Sequence, residues 1–178
     1  AYAVPGVAPT DDQASVRRLL SEDVAVDGHE LGYVVDGTPV DCVVAGLDEL
    51  VPETDAVVSG CNEGANLGAY TLGRSGTVSA AVEAAFFDVP AVATSMYVPG
   101  GDDWWKREFE NDDFAHAARA SRFLVDEAVD AAVFGRADDL HVNAPDAAAG
   151  PAPLRGTTPS TRDGRRAGGD GDGRAGLS

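Results

Sequence analysis

The chain has 178 residues, enough for one ordinary domain, and sets 30 acidic against 13 basic side chains, a formal net charge of −17. Such a surplus repels nucleic-acid phosphates and excludes a role in coating DNA or RNA. No apolar run reaches the roughly 18 residues that would mark a membrane-spanning helix.

Lys106 is the only lysine, while Ala, Asp and Val abound. This composition reads as adaptation to high salt, where screening suppresses the self-repulsion of an acidic surface. The opening "AYAVPGVAPTDD" lacks the basic start and apolar stretch of a signal peptide. Cys42 and Cys61 are too few for a secreted disulfide framework, so a reducing, cytoplasmic setting is expected.

In chain order, "ELGYVVD" (30–36) reads as a strand. "GTPVDCVVAGLDEL" (37–50) places Val40, Val43, Val44 and Leu47 on one helical face. "DAVVS" (55–59) is a short buried strand, and "SGTVSAAVEAAFF" (75–87) a helix with a Val78, Ala81, Val82, Ala85, Phe86 stripe. "PAVATS" (90–95) is a further strand. After an acidic, aromatic loop holding Trp104 and Trp105, residues 111–134 form a long helix opened by Asn and Asp caps, and "LHVNAP" (140–145) is a last strand. This alternation implies an α/β fold: a mostly parallel sheet with helices on both faces and ligands bound beyond the carboxyl ends of the strands.

Composition changes near Pro145. Residues 147–178 hold five Arg and three Asp, a local charge of +2 that leaves −19 on residues 1–146, and their large apolar residues are Leu154 and Leu177 alone. Such a segment buries too little surface to offset its ordering entropy. The expected organisation is therefore an α/β domain over 1–146 and a low-order tail over 147–178.

Three strand-end motifs carry the chemistry. In "SGCNEGANLG" (59–68), the carboxamide oxygens of Asn62 and Asn66 are hard, neutral ligands suited to a divalent cation, and the glycines admit close backbone approach. Turn capping accounts for the same residues. In "RSGTVSAAV" (74–82), Ser75 is a natural N-cap, and the amides of Gly76, Thr77 and Val78 are first-turn donors that could cradle a phosphate. In "DGTPVDC" (36–42), Thr38, Pro39 and Asp41 make a capping box, which structure alone explains. His29, His116 and His141 show no metal-ligand spacing, and GxSxG, Walker and GxGxxG motifs are absent.

Taken with "VNAP" (142–145), and more weakly with "VAPTDDQ" (7–13) and "PLRGTTPST" (153–161), these motifs resemble the SurE family of metal-dependent nucleotidases, in the family's order and in a haloarchaeal style. The resemblance implies a Rossmann-like three-layer domain that hydrolyses nucleoside 5′- and 3′-monophosphates with a divalent cation, Mg²⁺ or Mn²⁺. It also implies a C-terminal arm exchanged between subunits, hence a homodimer or homotetramer. By that resemblance Asn62 and Ser15 are the metal ligands, while Asn66, Ser75, Gly76, Thr77 and Thr38 line the phosphate and substrate site. The family's opening strand, ending "NDDG", has no counterpart, and Asp11–Asp12 follow "AP" instead. Ala14 occupies the expected ligand-serine position, one place before Ser15. The chain is accordingly expected to be N-terminally truncated, and the alternative function is a catalytically inactive remnant that binds phosphate or nucleotide weakly.

Overall fold

The strand β4, Ala91–Tyr97, "AVATSMY", is buried at every position but the last. Small and medium residues buried on both faces suit a central parallel strand. It pairs in parallel with β3, Val57–Glu63, on one side and β5, Asp139–Pro145, on the other, giving the order β3-β4-β5. The computed structural model describes residues 24–51, 53–98, 106–130, 133–150, 153–157 and 159.

Side-chain alternation along β4 sets the layers. Ala91 and Ala93 face one way and join Val43, Val78, Ala80, Ala81 and Ala84 in one core cluster. That cluster seats helices α1, Pro39–Ala45, and α3, Gly76–Phe86. Val92 faces the other way and packs with Ala117, Val142 and Ala144 beneath helix α4, Ala115–Asp130. On this face the Thr94 and Ser121 hydroxyls are hydrogen-bonded at 2.7 Å. The result is the expected three-layer α/β arrangement with a parallel sheet. Ala81 and Ala84 have no exposed surface, which lets α3 sit close on the sheet.

Local signals set the helix starts. Thr38 caps α1 in a capping box: its amide and hydroxyl both donate to the Asp41 carboxylate, at 2.6 and 2.7 Å. The Thr38 hydroxyl, aided by its backbone amide, holds the Asp41 carboxyl below its ordinary value. Ser75 caps α3 by accepting from the Val78 amide at 3.2 Å. A short helix α2, Gly68–Leu72, which the sequence pattern did not single out, follows β3. The helix expected over 37–50 instead widens at Gly46 into a π-helical turn, Gly46–Leu50.

One strand differs in its partner. Residues 30–36 were expected in the parallel sheet, but β2, Gly32–Val35, pairs antiparallel with β1, Val26–His29, in a separate exposed hairpin. A partner two residues away is reached by a tight turn, whereas parallel pairing needs a crossover. Ser15 and Asp11–Asp12 lie outside the described residues, as do Trp104, Trp105 and residues 160–178. The tail expected from 147 begins with a 3₁₀ turn, Ala147–Ala149, capped by the Asp146 carboxylate.

An arginine clasp ties the end of β5 to the start of α4. Arg107 donates to Asp146 at 2.7 Å and to Asp113 at 3.1 Å, and its guanidinium lies 5.0 Å from the Phe109 ring centroid. Asp146 is only 2 % exposed, so its charge depends on that partner. Arg107→Ala is expected to lower unfolding stability by about 2–3 kcal/mol, the cost of a nearly uncompensated buried carboxylate reduced by the clasp's partial exposure. Urea unfolding in high salt measures it, and a loss below about 0.5 kcal/mol would show the clasp to be incidental.

The pairing of β3 with β4 slips between Ser59 and Asn62, where Gly60 and Cys61 together oppose Thr94. Gly60 adopts φ +115°, and a Cβ there would run into the Thr94 carbonyl oxygen. Gly60→Ala should therefore cost about 3 kcal/mol through backbone strain and displacement of β4. An unchanged melting temperature would refute that reading of the bulge.

Candidate functional site

The bulge decides which way Asn62 faces. In an unbroken ladder Asn62 would stand opposite Met96 and point to the α4 side; one extra residue puts it opposite Ser95 instead. Ser95 in turn pairs with Asn143 on β5. Three polar residues thus form a row across the carboxyl end of the sheet, on the face that carries α1 and α3.

Asn66, just beyond β3, is tied into this row. Its backbone amide donates to Asn143 Oδ1 at 2.8 Å, and Asn143 Nδ2 donates back to the Asn66 carbonyl at 3.1 Å. The Asn66 side-chain amide donates to Ser95 Oγ at 2.6 Å. Asn66 and Ser95 are both buried, so the knot is rigid and largely satisfied. Asn66 therefore acts as a brace that shapes the loop.

Asn62 is held differently. Its Nδ2 donates to the Gly64 carbonyl at 2.7 Å, which leaves Oδ1 without a protein partner among the described residues. That is the orientation a cation ligand needs: the hard oxygen free and the amide nitrogen anchored. Beside it the Cys61 thiol is pushed up to about 11, first by burial and then by the nearby Glu63 charge, so it stays protonated and is no nucleophile at neutral pH.

The N-terminus of α3 opens at the same sheet edge, as the βα connection from β3 requires. Ser75 Oγ already occupies the Val78 amide, so the cradle of three amides expected from the sequence narrows to those of Gly76 and Thr77. Gly76 meets the start of α1: a Cβ there would lie 3.3 Å from Pro39 Cγ. Thr38 is therefore close in the chain to this edge, yet its hydroxyl is engaged with Asp41 in helix capping.

Of the residues named from sequence, Asn62, Asn66, Ser75, Gly76 and Thr77 belong to this edge, Thr38 is committed to capping, and Ser15 lies outside the described residues. Ser95 and Asn143 were not singled out. Both stand near the carboxyl ends of their strands, within the motifs "PAVATS" and "LHVNAP", which is the signal that marks them. Among the described residues no group of three or more His, Cys, Asp or Glu side chains could hold a metal ion.

A family profile described as survival protein SurE matches residues 2–168. The 5′-nucleotidase SurE of Haloquadratum walsbyi is 60% identical over 156 residues, covering 86% of this chain and 59% of that protein. Its namesakes in Haloarcula marismortui and Natronomonas pharaonis are 58% and 60% identical, each over 88% of this chain and over 59% and 62% of their own length. The chain thus spans about three fifths of the curated relatives it matches. The crystal structure of a SurE protein from Aquifex aeolicus superposes with a TM-score of 0.56 at 32% identity, over 71% of this chain and 48% of that one. By profile, by haloarchaeal relatives and by fold, the chain belongs to the SurE family.

Proposed function

We propose that the chain is a phosphomonoesterase acting on nucleoside monophosphates, a 5′/3′-nucleotidase, with the carboxyl edge of the sheet as its phosphate site. The observation that carries this reading is the Asn62–Ser95–Asn143 row beside the α3 N-terminus. The haloarchaeal relatives, each named a 5′-nucleotidase, support it.

The family resemblance implies a divalent cation, Mg²⁺ or Mn²⁺. Asn62 fits one such ligand position, because its oxygen is free while its nitrogen is bound. A neutral carboxamide alone holds a divalent ion weakly, and acidic ligands would have to come from outside the described residues. When bound, the cation supplies Lewis-acid polarisation of the phosphoryl group. The chain's own contribution is positional. The Gly76 and Thr77 amides, with the positive end of the α3 dipole, stabilise charge on the phosphoryl oxygens. The Asn66–Asn143–Ser95 knot keeps that loop in one geometry.

A cytoplasmic, salt-adapted setting fits two free cysteines and a net charge of −17. No helix among the described residues is long and apolar enough to cross a membrane. The dimer or tetramer implied by the resemblance would rest on the C-terminal segment, most of which lies outside the described residues.

Phosphate release from adenosine 5′-monophosphate in high salt with Mn²⁺ tests the proposal. Activity should vanish with chelator and fall about 10–100-fold in Asn62→Ala, the range for loss of a metal-supporting group. No release from folded chain would leave the phosphate-binding remnant as the better reading. In the same series Asn143→Ala should lower stability by about 1–3 kcal/mol, because the Asn66 amide and carbonyl lose their partner. Urea unfolding of that variant is the check, and wild-type stability would show that the knot does not brace the loop.

A further inference from the structure

A cleft of about 1070 Å³ runs along the edge of β5 that is turned away from β4. It touches Asn66 and Asn143 but none of Asn62, Ser75, Gly76 or Thr77, so it adjoins the phosphate site without being part of it. One wall is the α4 face carrying His116, Arg119 and Phe123, which share a face at helical spacing; Leu67, Leu154 and Arg155 close the other side.

Charge sets this cleft apart from the rest of the molecule. The chain as a whole is strongly acidic, yet among the described residues Asp139 is the one acidic side chain on the cleft wall, and it meets Nε2 of His141. Arg119 and Arg155 are both exposed, and neither has an ion-pair partner among the described residues. On so acidic a surface, two unpaired guanidinium groups in one cleft favour an anion. Phe123, Leu67 and Leu154 are each about half exposed, at 51%, 57% and 54%, and present apolar surface beside those cations. A cleft of this volume accommodates a nucleotide-sized molecule.

The geometry points to a second nucleotide site here, distinct from the phosphate site at the sheet edge. The aromatic base lies against Phe123 and the phosphate is held by Arg119 and Arg155. Nothing in the assignment requires turnover.

Binding of adenosine 5′-monophosphate, measured by calorimetry with chelator present and in the lowest salt that keeps the chain folded, tests it without reading hydrolysis. Arg119→Glu and Arg155→Glu should each weaken binding at least about tenfold, Phe123→Ala about five- to tenfold, and Arg122→Glu, on the same helix but outside the cleft, not at all. Arg119→Gln should give an intermediate loss, and adenosine and inorganic phosphate should each bind less tightly than the nucleotide. The assignment is overturned by affinity unchanged in the cleft variants, by no binding at millimolar nucleotide, or by an equal loss in Arg122→Glu. None of these results depends on whether the chain hydrolyses phosphomonoesters.

Discussion

A single extra residue in β3 sets which face of the sheet Asn62 presents. Because side chains in a strand alternate with a period of two, one inserted residue moves everything after it to the opposite face. The slip at Gly60–Cys61 turns Asn62 from the α4 side to the side where α3 begins, and aligns it with Ser95 and Asn143. Gly60 can make that bend because, without a Cβ, it adopts a positive φ and passes close to the Thr94 carbonyl. Bulges beside functional sites commonly re-aim a side chain in this way.

The rest of the molecule holds that edge still. Ala80, Ala81 and Ala84 let α3 lie close on β4, so its first turn opens beside the polar row. On the opposite face Thr94 and Ser121 bind each other under α4, fixing the strand position that faces the bulge. Past the row, the Asp146 amide donates to the Tyr97 carbonyl, and Arg107 secures the Asp146 carboxylate. The strand that faces the bulge, β4, is thus pinned from behind, and β5 beyond it is pinned from its end. Packed strands and a satisfied polar knot hold this edge in one arrangement.

Much of this was legible in the sequence, for identifiable reasons. The apolar runs at β3, β4 and β5 and the capping residues Thr38 and Ser75 are strong local signals, and they fixed the layers and the helix starts. The hairpin was misplaced because "GYVV" says that a strand exists and nothing about its partner. The bulge was hidden for a related reason: Gly60 marks an unusual backbone, but only pairing with β4 reveals the slip in register. The sequence motif does not show that Asn66 ties the sheet-edge loop together, since its partners Ser95 and Asn143 lie 29 and 77 residues away. Such long-range contacts leave no periodic trace. The Val78 amide, an unpaired donor by helix position alone, is taken by Ser75, the cap named from sequence.

The claim that most depends on this geometry is that Asn62 faces a cation beside the α3 N-terminus. Crystals of the chain soaked with Mn²⁺ and phosphate, examined by anomalous scattering, test it directly. The expected result is a manganese peak about 2.1–2.3 Å from Asn62 Oδ1, with phosphate oxygens on the Gly76 and Thr77 amides. A peak elsewhere, or phosphate bound away from that turn, would contradict the account.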